Sequence, residues 1–145
     1  MFDLYSADGY KYSHYLMDSD DLEYKSFYIE ARTPGMPLQV AGFSRLLDLT
    51  YTYLDLEPDD DDSQFFEKCG SPLNIDGLTE LYKDYGPDLP LYIQALPDGT
   101  VTTTGIPILQ ITNTDPKYSW LPGLFEDYLL NVHGVCSVAT QSVGS

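Results

Sequence analysis

LPLYIQALPDGTVTTTGIPILQITNTDPKYSWLPGLFEDYLLNV, residues 89–132, carries the pattern that decides the fold. Leu91, Ile93 and Ala95 alternate with Tyr92, Gln94 and Leu96, the period of a half-buried strand. Pro97-Asp98-Gly99 turns the chain. Thr100 to Thr104 is rich in β-branched residues, Gly105-Ile106-Pro107 interrupts it, and Ile108 to Thr112 forms a further apolar strand. Asp115-Pro116 then offers an N-cap followed by proline at the first helical position. Beyond it Leu121, Leu124, Phe125, Tyr128, Leu129 and Val132 recur at helical spacing. Three strands in succession followed by an amphipathic helix predict a helix packed on a sheet.

The flanking sequence extends this pattern. Residues 1–24 are rich in tyrosine, at Tyr5, Tyr10, Tyr12, Tyr15 and Tyr24. Asp8 is placed to cap a short helix from Gly9 to about Leu16, with Lys11, His14 and Tyr15 on one face. Such a helix can simply pack its rings on the sheet. After an acidic turn from Met17 to Leu22, Tyr24 to Arg32 alternates again, with Phe27, Ile29 and Ala31 on one face and Tyr28, Glu30 and Arg32 on the other. Thr33 to Pro37 reads as a turn, and Gly42 leads into a helix with Phe43, Leu46, Leu47 and Leu54 at helical spacing. The acidic run Asp59 to Asp62 lacks the spaced ligands and glycine of a calcium loop and reads as a solvated loop. A second helix is expected over Ile75 to Tyr85, with Asp76 as candidate N-cap, Leu78, Leu81, Tyr82 and Tyr85 on its buried stripe, and Gly86-Pro87 as its stop. His133-Gly134 closes the long helix, and Val135 to Thr140 begins another element. The fold class is therefore α+β, with a mixed, mainly antiparallel sheet and three or four packed helices. No repeat or linker divides residues 1–145, which read as a single domain.

Composition narrows the function classes. The chain has 145 residues, 43% of them hydrophobic, enough for one core. Its 23 acidic and 7 basic side chains give a formal charge of -16, which disfavours nucleic acid and anionic membranes as partners. No apolar run approaches the roughly 20 residues that span a bilayer, and the first residues lack the pattern of a signal peptide, so the expected location is cytoplasmic. Cys69 and Cys136 have no metal-ligand spacing and read as free thiols. There is no Gly-rich phosphate loop, zinc signature or nucleophile elbow, and neither His14 nor His133 carries a catalytic pattern.

A set of spaced motifs resembles the N-terminal region of the nicotinamide phosphoribosyltransferases, a branch of the type II phosphoribosyltransferases. They are Leu89-Pro90, Ala95-Leu96-Pro97-Asp98-Gly99, Thr112-Asn113-Thr114-Asp115-Pro116, Trp120-Leu121, Glu126 and Val138-Ala139-Thr140. Upstream, Asn74-Ile75-Asp76-Gly77 with Leu81 and Tyr85 also resembles the family's segment. Asp8, Tyr10, Lys11, His14 and Tyr15 resemble its Asp-x-Tyr-Lys-x-x-His-Tyr element. Glu30-Ala31-Arg32 resembles its Glu-x-Arg.

The resemblance implies a pentosyltransferase of NAD salvage that makes nicotinamide mononucleotide from nicotinamide and phosphoribosyl pyrophosphate. It implies substrate-binding roles for Asp8, Tyr10 and Arg32: the tyrosine stacks on the nicotinamide ring from within a dimer partner's site, and the arginine contacts phosphate or pyrophosphate oxygens. An arginine in a sequence this acidic also suits a plain surface ion pair. No catalytic or metal-binding residue carries over. Mg²⁺ and ATP are expected of the complete enzyme, with no cofactor held by this chain alone. The family's catalytic barrel has no counterpart in residues 1–145, so the isolated chain is expected to be inactive and to need a barrel from another chain or from sequence lost by truncation. Two other readings stay open: a non-catalytic regulatory protein that pairs with a full-length transferase, and a nicotinamide- or nucleotide-binding module.

Overall fold

A computed structural model of the chain describes residues 7–32, 37–44, 59–130 and 140. Its centre is strand β5, Pro107–Asn113, which is hydrogen-bonded antiparallel to β1, Ser26–Glu30, on one side and to β3, Leu91–Ala95, on the other. Ile111 stands opposite both Phe27 and Ile93, and Leu109 opposite Ile29 and Ala95. Ile29, Leu109 and Ile111 are buried, whereas Tyr28, Tyr92, Gln94 and Gln110 are exposed on the opposite face. The period of two seen in the sequence thus separates a core face from an outer one.

The three consecutive strands do not form one sheet. β4, Val101–Thr103, leaves to pair antiparallel with β2, Pro37–Gln39, in a separate two-stranded sheet. Two turns enforce the departure. Gly99, at φ 90°, donates its N–H to Val40 O at 2.7 Å, and Gly105, at φ 79°, donates to Ala31 O at 2.9 Å. Both positions need the left-handed conformation that glycine adopts without steric cost. Asp98 does more than turn the chain: its carboxylate accepts from Phe43 N at 3.2 Å and Ser44 N at 3.3 Å.

Helices cover the core face. α1 spans Asp60–Lys68, α2 spans Ile75–Tyr85, and α3 covers residues 121–130. Leu78 and Leu81 of α2 and Leu121, Leu124, Phe125 and Leu129 of α3 join Ile29, Leu109 and Ile111 in one buried cluster. Burying a side chain of this size is worth about 1.5–3 kcal/mol, so this cluster dominates the fold's stability. Among the described residues no helix is long and apolar enough to cross a membrane.

Several sequence expectations are corrected at element ends. Residues Gly9–Met17 form a 3₁₀ helix, and Asp8 precedes it without a side-chain cap. Asp59 to Asp62 is not a loop but the start of α1. Asp59 accepts from Asp62 N at 2.9 Å and Asp62 accepts from Asp59 N at 3.0 Å, a reciprocal capping box. The N-cap of α2 is Asn74, accepting from Gly77 N at 3.1 Å, with Asp76 in the first turn. Tyr82 lies off the buried stripe and is exposed. Asp115 caps only a 3₁₀ turn, Pro116–Tyr118, and the α-helix begins at Leu121. Pro37 already belongs to β2, and β1 is shorter at both ends than its alternation suggests. The helical spacing through Leu46, Leu47 and Leu54, the turn over residues 33–36, and Val132, His133 and Cys136 lie outside the described residues. Cys69 is an exposed free thiol.

The corner after β5 is pinned by polar contacts. Buried Asn113 donates to Glu23 O at 2.8 Å and Asp115 O at 2.9 Å, and accepts from Lys25 N at 2.8 Å. Tyr85 donates to Asp115 at 2.8 Å, while Tyr118 and Lys117 donate to one oxygen of Asp84 at 2.6 and 2.9 Å. These bonds hold Asp84 below its ordinary value of 3.8, the Tyr118 bond contributing most. Burial first, then the Asp84 bond, pushes the Tyr118 hydroxyl up to about 12.

Replacing Asn113 by Ala leaves the half-buried Lys25 N–H and two carbonyls without this partner, so urea denaturation should show a loss of about 1–3 kcal/mol; a loss below about 0.5 kcal/mol would contradict the pinning assigned to it. The depressed Asp84 contributes stability that is full above its ordinary value and is lost as pH falls through its folded value. The stability difference between wild type and Asp84→Asn, followed by acid titration, should therefore shrink below about pH 4.

Candidate functional site

Asp8 and Tyr10 stand at the start of the 3₁₀ helix Gly9–Met17, and α3 holds that start in place. The backbone N–H of Asp8 donates to Asp127 Oδ2 at 2.7 Å. Lys11, one residue beyond Tyr10, donates its ammonium to Glu126 Oε2. Neighbouring carboxylates on one helix thus hold the chain on both sides of Tyr10. Tyr12 is buried, its ring 4.3 Å centroid to centroid from that of Phe66 on α1, and its hydroxyl accepts from Ala7 N at 3.0 Å.

Tyr10 itself remains 54% exposed. Its ring lies 5.1 Å from that of His14 at a tilt of 54°, and the Lys11 ammonium sits 5.5 Å from its centroid. Lys11, the largest influence on the phenol, favours its ionised form. Desolvation and the carboxylates of Asp127, Asp8 and Glu126 outweigh it and hold the hydroxyl above its ordinary value. The ring is therefore neutral near pH 7. Burial also raises the Asp127 carboxyl, with the Asp8 N–H and Lys11 acting in the opposite direction. An exposed aromatic face on a held backbone can accept a flat heterocycle by offset stacking.

Arg32 lies just past the end of β1 and is exposed. It lines an open cleft of about 530 Å³ with Ser26, Tyr28, Glu30, Glu126 and Leu130. Glu126 is shared: it holds Lys11 and forms part of the wall beside Arg32. Among the described residues Arg32 makes no ion pair, while Lys11, Lys25 and Lys117 are each paired with carboxylates. A guanidinium at a cleft mouth suits an oxyanion, to which its planar fork can give two hydrogen bonds.

Among the described residues no group of three or more His, Cys, Asp or Glu side chains is placed to hold a metal ion. His14 contributes its ring contact with Tyr10. The sequence singles out Asp8, Tyr10 and Arg32 but does not show what orders the Asp8–Tyr10 segment, namely Lys11 with Glu126 and Asp127 with the Asp8 N–H. Glu126 and Lys11 stand in the recognised motifs, but their pairing joins positions 115 residues apart and leaves no local pattern.

No protein-family model matches the chain. The chain is 32% identical, over 96% of its own length, to the nicotinamide phosphoribosyltransferase of Xanthomonas campestris pv. campestris (strain 8004), and spans 30% of that relative's length. A crystal structure of human nicotinic acid phosphoribosyltransferase superposes with a TM-score of 0.65 over 93% of this chain and 27% of its own, at 21% identity, a likeness of fold. Sequence similarity along nearly its whole length makes the chain a counterpart of one part of a nicotinamide phosphoribosyltransferase.

Proposed function

We propose that this domain is the base-receiving part of a nicotinamide phosphoribosyltransferase working in cytoplasmic NAD salvage, completed by a barrel outside the described residues. The observation that carries the reading is the 32% identity to a nicotinamide phosphoribosyltransferase over 96% of the chain. The exposed, held ring of Tyr10 and Arg32 at its cleft, without an ion pair among the described residues, support it.

In this reading nicotinamide stacks on Tyr10, which in a homodimer reaches the neighbouring subunit's site, and Asp8 lies beside the base. The nicotinamide ring nitrogen attacks the anomeric carbon of phosphoribosyl pyrophosphate. A C–N bond forms, the C–O bond to pyrophosphate breaks, and pyrophosphate leaves with the electron pair. Nicotinamide mononucleotide is the product. Arg32 steadies phosphate oxygens, and stacking holds the nitrogen in line with the breaking bond, so the domain's contribution is orientation. Mg²⁺ and ATP would be held by residues beyond those described.

The test is a steady-state assay of the chain reconstituted with its barrel polypeptide. Tyr10→Ala should raise KM for nicotinamide about tenfold, the loss of a stacking contact of about 1–3 kcal/mol. Arg32→Ala should raise KM for phosphoribosyl pyrophosphate, with Arg32→Lys failing to restore it because an ammonium lacks the bidentate fork. Absence of nicotinamide mononucleotide from a stable reconstituted complex, or unchanged KM values in both variants, would overturn the reading.

A further inference from the structure

Tyr10 combines two properties that usually exclude each other: its ring is more than half exposed, yet the chain on both sides of it is fastened to the same turn of α3. Two other exposed tyrosines, Tyr28 and Tyr92, take their orientation from the sheet on which they stand. Tyr10 sits in a 3₁₀ segment, whose short-range hydrogen bonds give little rigidity. Its order has to come from outside the segment.

Lys11 supplies it. The side chain is only 8% exposed, and its ammonium has three neighbours: Glu126, the Phe27 ring at 5.1 Å from its centroid and the Tyr10 ring at 5.5 Å. A desolvated cation between two aromatic rings interacts more strongly with both than one in water. Glu126, 20% exposed, keeps that cation from being buried without a counter-charge. Lys11 N donates to Asp8 O at 2.8 Å and closes the turn around Tyr10, while Asp127 holds the N–H of Asp8. Backbone and ring are thereby restrained through one side chain.

We infer that Lys11, held by Glu126, is a positioning residue that sets the orientation of the Tyr10 ring before any ligand arrives. This builds on the stacking role proposed for Tyr10 and adds how the ring is ordered. Preorganising a stacking surface removes an ordering cost from binding and leaves bond-making to other groups. The pair should therefore govern the KM for the base rather than kcat.

The experiment uses the whole chain labelled with 3-fluorotyrosine, the Tyr10 resonance being assigned by its loss in Tyr10→Phe. Lys11→Met keeps the side-chain length and apolar stem and removes the charge. It should shift the Tyr10 fluorine signal toward that of a freely rotating tyrosine while far-UV circular dichroism stays unchanged. Lys11→Arg should restore the wild-type position, and Glu126→Gln should reproduce the shift in part. In the reconstituted enzyme Lys11→Met should raise KM for nicotinamide about fivefold or more, with kcat and KM for phosphoribosyl pyrophosphate within twofold. If the Tyr10 signal does not move in a folded Lys11→Met chain, the inference fails and the stacking role stands. If it moves while Tyr10→Ala itself leaves KM for nicotinamide unchanged, the positioning of the ring stands and the stacking role fails. Should Lys11→Met unfold the chain, the fluorine spectrum of Glu126→Gln decides the matter by the same criterion.

Discussion

Double pairing of β5 is the constraint on which the rest of the structure depends. It is hydrogen-bonded along both edges, so its register determines where β1 and β3 lie and which of their side chains meet the helices. At its end Asn113 binds the segment leading into β1 and the turn leading into α3. The position of α3 in turn determines where Asp127 and Glu126 can hold Asp8 and Lys11. A ring near the start of the chain is thus located by a strand a hundred residues later. The sequence of dependence runs from sheet register to corner, from corner to helix, and from helix to the exposed tyrosine.

The electrostatics are unusual for a domain that would handle a polyanion. The chain carries a formal charge of -16. Most described ion pairs engage lysines in holding the fold together: Lys11 fastens the Tyr10 segment, Lys25 pairs with Asp18, and Lys117 joins α2 to the corner after β5. Arg32 stands apart from these pairs at the mouth of its cleft. One guanidinium cannot balance a pyrophosphate group, so on the proposed reading most of the positive potential has to come from the completing polypeptide. Acidic surface here and cationic groups there would also favour docking of the two parts.

Local pattern revealed some of this architecture and concealed the rest. The bounds of α2 are legible, because its apolar spacing coincides with a glycine stop at Gly86, although its N-cap and the exposure of Tyr82 are not. The three strands from Leu91 onward were legible as strands, but β4's transfer to a second sheet was not, since the partner of a three-residue strand is chosen by tertiary structure. Four consecutive aspartates looked like a solvated loop. They open a helix instead, because the reciprocal Asp59–Asp62 bonds satisfy otherwise unpaired N–H groups. In the candidate site Asp8, Tyr10 and Arg32 came from motif resemblance alone. The pairs that order Asp8 and Tyr10 are not legible there, because contacts across more than a hundred residues have no period to read.

The central claim is that Tyr10 offers its ring to the nicotinamide base in a complete transferase. It is tested most directly by a crystal structure of this chain assembled with its barrel polypeptide and soaked with nicotinamide mononucleotide. The account predicts the pyridine ring lying parallel to Tyr10 at about 3.5–4 Å, with Arg32 directed toward the nucleotide phosphate. A well-defined mononucleotide bound elsewhere, with the Tyr10 ring facing only solvent in every subunit, would contradict it.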